Sequence, residues 1–444
     1  MSVDVRQQLD RLAQDAPTGV PPSDLWQRGV RRRRRRLAGG AAASVLAVLV
    51  GGGLAGMVVA LGPTPVVAPA AGDADAIPDR IVEPDPRTPG TDANGAPGRL
   101  AVVAGASRVA GFLGTSSDGL VGISAADGTY RFLDLPGRLT DSSGLLSSDE
   151  PVALSPDGRL VAYWQGPCGG DGCVASGMAV YDTVTGRVHP KRFESPKGLA
   201  PQSLSWVSAD TVLVRYGEIT QRDQSSMSTR LGPNWLWTPL RDRLTKLPGS
   251  QYVDRVAPTA DGFTSWNGHR LTRWSASGTS YTSRTVRVTG LDPQAPLGSL
   301  AVSPDGSRIV LVSEQGSQPS QLYAGRLTAQ GKRLAVRPLG TRAIASSVVG
   351  WRDADHVLVQ AAVGAASGVY AVDVATGATE RAVAVPDQTY TPGQVYATDL
   401  WSRPTASRPA PPDRLDRRLA ALGGGAAVLV LLAALRTRRR RGVR

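Results

Sequence analysis

Lysine is nearly missing from this chain: only four of its 50 cationic residues are lysine, and the rest are arginine. Histidine is scarcer still, with three residues in 444, and cysteine occurs twice. His189, His269 and His356 are far apart, and no H-E-x-x-H, paired-histidine helix or Cys/His cluster exists. A metal site would therefore need acids converging from distant segments. Neither a G-x-S-x-G elbow nor a G-x-x-x-x-G-K-[ST] phosphate loop occurs. No catalytic residue, cofactor or metal ligand is assigned, which leaves only a small remainder for a hydrolase or lyase assembled from separated loops. A basic groove is also lacking. Nine Arg against four Asp give residues 1–36 a charge of +5, and nine Arg against two Asp give residues 413–444 a charge of +7. Only +1 of the total +13 falls between them. A neutral middle excludes a phosphate-tracking surface of the nucleic-acid-binding kind, so no nucleic acid is expected as partner.

The charge flanks two apolar runs. Arg31, Arg32, Arg33, Arg34, Arg35 and Arg36 precede Leu37–Leu61, which carries no charge. As a helix it would span roughly 37 Å, more than the ~30 Å of bilayer hydrocarbon. The second run, Leu419–Leu435, is at the short end of the spanning range and is followed by Arg436 and then Arg438, Arg439, Arg440 and Arg441. Basic residues collect on the cytoplasmic side, so both runs read as membrane helices with both termini inside. A cleaved signal peptide, with Ala68-Pro69-Ala70 as its processing site, competes for the first run, but a signal core is shorter. A cell-wall sorting tail competes for the second, yet no LPxTG-like motif precedes it. A buried helix of a soluble protein is the third reading, and six adjacent arginines argue against it. Gly62–Leu100 and Ser402–Asp413 are rich in Pro, Ala and Gly without apolar periodicity, and read as linkers.

Glycine (51) and proline (33) are abundant, as many short strands joined by turns require. "ALSPDGRLVAYW" (Ala153–Trp164) returns as "AVSPDGSRIVLV" (Ala301–Val312). Pro presets one turn position, Asp caps its own backbone and Gly takes positive φ at little cost. Weaker copies place an acid in the same slot, giving the series Asp157, Asp210, Asp261, Asp305 and Asp355, with Gly158 and Gly306 in the two good copies. A second element, strand–turn–strand, repeats with glycine pairs 119/128, 177/186 and 368/377. Together they make units of four antiparallel strands in about 50 residues, the period of propeller blades. Six units follow: 100–136, 137–196, 197–248, 249–291, 292–340 and 341–387. The short strand Gly393–Trp401 is left over and is expected to pair back to the first unit, closing the ring; a seventh, degenerate blade is left open. The repeat acids, with Trp206, Trp266 and Trp351, are expected to be scaffold rather than ligand contacts.

Ser155-Pro156-Asp157-Gly158 and Ser303-Pro304-Asp305-Gly306, each followed by an apolar strand, resemble the WD40-like repeats of bacterial TolB-type propellers. The resemblance covers roughly Leu100–Trp401. It implies an all-β propeller, and because a TolB-like domain is usually soluble or fused to an enzyme, roles known for that family do not carry over to a propeller slung between two spans. The chain departs from true WD40 repeats in lacking a Trp-Asp dipeptide at the blade ends.

Cys168 and Cys173 lie in "GPCGGDGC", a Gly-rich loop expected outside the membrane, where a disulfide closing a small loop is favoured. A redox pair or two free thiols are the alternatives. At the N-terminus, Val5, Leu9 and Leu12 form a helical stripe, and Ser23 can cap a turn before Leu25 and Trp26. This head either lies on anionic lipid or binds a cytoplasmic protein. The layout resembles that of membrane-bound anti-sigma regulators, although their zinc-binding motif is missing. The expected organisation is a cytoplasmic head (1–36), a first span (37–61), a linker (62–99), an extracytoplasmic propeller of six or seven blades (100–401), a linker (402–418), a second span (419–435) and a basic tail (436–444). The expected function is a non-catalytic binding or scaffolding module in the cytoplasmic membrane, with the bilayer and a protein or envelope ligand as partners. The alternative is a transmembrane regulator, the propeller sensing and residues 2–27 gripping a cytoplasmic factor.

Overall fold

The computed structural model describes residues 75–412, apart from 110–115, 140–151, 170–171, 223–226, 249–252, 254, 268–269, 278–279, 292–295, 316–317, 329–330, 365 and 386–393. Among the described residues no helix is long and apolar enough to cross a membrane. The head, both apolar runs, Arg31–Arg36 and Arg438–Arg441 lie outside the described residues.

The described chain is nearly all strand. β1 (Leu100–Val109), β2 (Ser116–Ser124) and β3 (Tyr130–Phe132) open it. β4 (Val152–Leu154) and β5 (Leu160–Gln165) follow, then the short β6 (Cys168–Gly169) and β7 (Gly172–Cys173), then β8 (Gly177–Asp182) and β9 (Val188–Arg192). Next come β10 (Leu199–Trp206), β11 (Val212–Arg222), β12 (Met227–Leu231), β13 (Trp235–Thr238) and β14 (Arg243–Lys246). β15 (Arg255–Thr259), β16 (Gly262–Asn267), β17 (Arg270–Ser277) and β18 (Ser280–Thr289) form one meander. β19 (Leu297–Val302), β20 (Arg308–Gln315), β21 (Gln318–Arg326) and β22 (Arg333–Pro338) form the next. β23 (Ile344–Trp351), β24 (His356–Val363), β25 (Ala366–Asp373), β26 (Thr379–Ala384) and the short β27 (Val395–Tyr396) end the series.

These strands make four separate blade-like sheets, ordered β27-β1-β2-β3, β4-β5-β8-β9, β10-β11-β13-β14 (with β12 on β11) and β23-β24-β25-β26. β15 to β22 form a single eight-stranded sheet. The separate blades therefore number four, not the six that the repeat spacing led us to expect. The reason is local: β18 and β22, the last strands of their meanders, pair in parallel over Arg287–Thr289 and Arg333–Ala335 and fuse the two.

Packing follows from the strand pattern. Most central strands are apolar on both faces, so a two-residue period sends alternate side chains to opposite sides. On β5, Leu160, Ala162 and Trp164 pack against β10 and β11, whereas Val161 and Tyr163 pack against the first sheet. On β20, Ile309 and Leu311 meet the β15–β18 meander, and Val310 and Val312 meet the last sheet. On β24, Val357 and Val359 face β20, and Leu358 faces the first sheet. Each apolar cluster is thus a seam between neighbours, and the seams run from the first sheet round to the last and back. The fold is an all-β propeller-like one.

The ring is joined where the sequence places its spare strand. β27 pairs with β1 through Val102–Tyr396 and Val103–Val395. Tyr396 also packs on Trp401 with ring centroids 5.3 Å apart, and both are buried. Two expectations about linkers are corrected over their described parts. Residues 75–99 are packed along the sheets, because Ile77 and Ile81 insert into the apolar seam around the first sheet. The Asp79 carbonyl accepts the Ala384 amide at 2.9 Å, and the Ile81 amide donates to the Ala384 carbonyl at 2.8 Å. Pro78 pairs with Ala406 in parallel, and buried Arg408 donates Nη2–H to the Ala125 carbonyl, so 402–412 is packed too.

Gly158 and Gly306 both sit at positive φ, 74° and 70°. At Gly158 the next sheet comes close: its carbonyl accepts the Leu100 amide at 2.8 Å, and a Cβ there would collide with the Leu100 carbonyl oxygen. Nothing approaches Gly306. In urea unfolding, Gly306→Ala is expected to cost about 1–2 kcal/mol from backbone conformation alone. Gly158→Ala is expected to cost about 1–3 kcal/mol more, as overpacking does. Equal losses would mean that this seam is not tight.

Candidate functional site

The first strand of each meander lies innermost. β27 touches β4, β4 touches β10, β15 touches β19 and β19 touches β23, which in turn touches the short 3-10 turn Thr398–Ser402. Where these strands turn outward they leave a cavity of about 440 Å³ at one end of the axis. Five meanders contribute to its wall, with Pro156, Val207, Pro258, Val302 and Val349 as one residue from each, and the closing turn Thr398–Ser402 adds Asp399. The wall is mostly Val, Ala and Pro, edged by Ser208, Thr259 and Ser303 and closed on one side by Trp351.

The repeat acids stand behind this rim, and four of the five are engaged by their own turns. Asp157 accepts from Ser155 Oγ at 2.6 Å and from the Arg159 amide at 3.1 Å. Asp305 repeats the pattern, accepting from Ser303 Oγ at 2.5 Å and from the Ser307 amide at 3.1 Å. Asp210 accepts from Ser208 and Thr211, and Asp261 from Thr259. Asp355 is paired with Arg308 at 2.8 Å, across two neighbouring sheets. The tryptophans are buried in the seams, and Trp206 Nε1–H donates to the Ala153 carbonyl at 2.9 Å. Cys168 and Cys173 are joined in a disulfide with Cα atoms 4.0 Å apart, across the two-residue strands β6 and β7. Neither cysteine lines the cavity. His356 is bound to Asp353 by Nδ1 at 2.9 Å, and His269 lies outside the described residues. Among the described residues no three His, Cys, Asp or Glu side chains are gathered as metal ligands.

Asp399 is the one carboxylate lining the cavity among the described residues. Its backbone amide donates to the Pro156 carbonyl at 2.9 Å, which ties the closing segment to the first Ser-Pro-Asp-Gly turn. The residue is exposed at the cavity edge. Loss of water and the nearby charge of Asp157 push its carboxyl above the ordinary aspartate value. Sequence reasoning gave the segment Gly393–Trp401 its closing role and overlooked its acid. The available signal was a lone charged residue in a segment otherwise uncharged.

The geometry can be set beside known proteins. No protein family and no curated protein sequence matches this chain. Solved structures do resemble it. TolB from Acinetobacter baumannii is 15% identical, covering 69% of each chain with a TM-score of 0.36. The periplasmic gluconolactonase of Pseudomonas aeruginosa is 15% identical over 67% of this chain and 99% of its own, with a TM-score of 0.32. A protein from Lactobacillus plantarum is 12% identical over 67% and 99%, with a TM-score of 0.34. At such identities and scores no residue role passes from them to this chain.

Two acids of the rim are expected to respond to pH in opposite senses. Hydrogen bonds from Ser303 and Ser307 hold the Asp305 carboxyl down at about 2, so the unfolded chain takes up its proton first. Asp305→Asn is expected to be less stable than the parent at neutral pH. Its deficit should shrink as pH falls from the ordinary 3.8 towards about 2. Folding raises the Asp399 carboxyl, so parental stability falls as pH rises above 3.8, and Asp399→Asn is expected to flatten that slope. Denaturant midpoints measured across pH 2–7 on both variants check the two signs.

Proposed function

We propose that this chain is a non-catalytic binding module, an all-β propeller-like body held outside the cytoplasmic membrane by Leu37–Leu61 and Leu419–Leu435. The cavity at the end of the axis is its binding site. The observation that carries this reading is convergence: a mostly apolar hollow is lined by five meanders and by the closing turn, which brings a single carboxylate, Asp399. A concave apolar wall with one oriented polar group is the usual form of a ligand site. A carboxylate whose ionisation is opposed by its surroundings gains most when a positive charge comes beside it. The ligand expected here is a chain end or small molecule with an apolar body and a cationic group. The turn acids hold the rim in shape and are spoken for by their hydroxyl and amide donors. The outside placement rests on the arginine runs flanking both apolar segments.

The test uses the full chain in native membranes. A photo-crosslinking residue at Val349 is expected to capture a discrete envelope component, one at exposed Val184 is not, and Val302→Trp should abolish the capture by filling the mouth. Equal capture from Val184 and Val349 would overturn the site. Protease added to intact cells is expected to cut at the exposed turns around Val184 and Arg241; protection that ends on permeabilisation would overturn the outside placement. Lactone hydrolysis by the purified chain that is lost in Asp399→Asn would replace the binding reading with an enzymatic one. Loss of a cytoplasmic protein from pull-downs after deletion of residues 2–27 would favour the regulator.

A further inference from the structure

The seam that fuses the two middle meanders carries an uncommon charge pattern. Arg270 on β17 stands directly opposite Arg287 on β18, and Arg287 is in register with Arg333 on β22. Side chains in register share a face, so three guanidinium groups form one row across three consecutive strands, about 10 Å from end to end at the ordinary strand spacing. All three are exposed, and none has an ion-pair partner among the described residues. Along the same face the neighbouring rows are Thr272–Thr285 and Thr289–Ala335, so no carboxylate stands beside the arginines there. Arg337, two pleats along β22, is exposed on the same face and extends the positive surface.

Like charges directly opposite one another destabilise a sheet. The chain nevertheless places this row where β18 and β22 must pair to join the two meanders. An anion lying across the row would relieve the repulsion and brace the junction. Guanidinium forks match phosphate oxygens in bidentate geometry. A straight row repeats that fork along a line, which suits an extended chain of phosphates. A bilayer fits the surface less well, because no large apolar side chain projects beside the arginines to enter the acyl region.

We propose that the β17–β18–β22 wall binds a linear polyphosphate chain, with Arg270, Arg287 and Arg333 as its contact row. This site is separate from the axial cavity and stands whether or not that cavity binds a ligand.

The full chain purified in detergent is labelled with an arginine-selective glyoxal, and the modified peptides are mapped by mass spectrometry. Long-chain inorganic polyphosphate is the probe, and orthophosphate at equal phosphate is the control. Polyphosphate is expected to protect Arg270, Arg287 and Arg333 and to leave exposed Arg187, Arg241 and Arg381 reactive. The variant Arg270→Gln/Arg287→Gln/Arg333→Gln is expected to bind polyphosphate about tenfold more weakly, with a salt dependence flattened by about two to three charges. A charge-matched variant, Arg187→Gln/Arg241→Gln/Arg381→Gln, keeps the arginine-rich termini and should bind as the parent does. Without polyanion, the first variant is expected to melt higher than the parent. Equal protection of all six arginines, or equal loss of affinity in the two variants, would overturn the proposal. Protection by phosphatidylglycerol vesicles but not by polyphosphate would overturn it in favour of a bilayer.

Discussion

The structure depends on a single constraint: its central strands are apolar on both faces. A sheet of such strands cannot leave either side to water, and a sandwich of two sheets would bury only one side of each. Every sheet therefore needs a neighbour on both flanks. Seams such as that of Trp164 and Met178 with Trp206 and Val214 meet the need by passing it to the next sheet. The demand ends only when the last sheet meets the first, as Leu358 and Val369 do with the residues around Val103. Radial repetition is the solution that leaves short edges, and the chain's turns are cut to suit it.

The axial cavity follows from the same constraint. Strands that splay from a common axis cannot fill its end, so their first turns surround a hollow. The chemistry of that hollow is decided by rim residues that have little part in the seams. Serine and threonine of the rim are committed to the turn acids, which leaves the Val and Pro surfaces and Asp399 facing the space. Scaffold and site are thus drawn from adjacent positions of one repeat, and the repeat motif itself belongs to the scaffold.

How much of this the sequence discloses varies with the range of the interaction. Turn chemistry is local, so Ser155–Gly158 and Ser303–Gly306 could be read directly, as could the glycines at 128, 186 and 377, which all adopt positive φ. Strand alternation was legible for the same reason, and the closing role of the segment near Tyr396 followed from counting, as the one strand left over from the repeat. Contacts between distant segments were not. The pairing of β18 with β22 arises from two strands forty-odd residues apart, and no pattern in either announces it. Nor does composition reveal that Ile77 and Ile81, set among prolines and alanines, find a seam to enter. Asp399 and the arginine row were missed because their meaning comes from what lies across from them in space.

The pairing of residues 77–79 with Ala406 has a mechanical consequence. The two ends of the described chain leave the ring side by side, clasped by amide bonds from Asp79 to the Ala406 carbonyl and from Ala406 to the Ile77 carbonyl, each 2.9 Å. Behind that clasp, among the described residues, β27 meets β1 at two residue pairs, and the Ala397 amide donates to the Ala101 carbonyl at 2.9 Å. A pull applied to both ends is borne first by the clasp and does not reach the closing strand while it holds. The joint between the last strand and the first is thereby shielded from load.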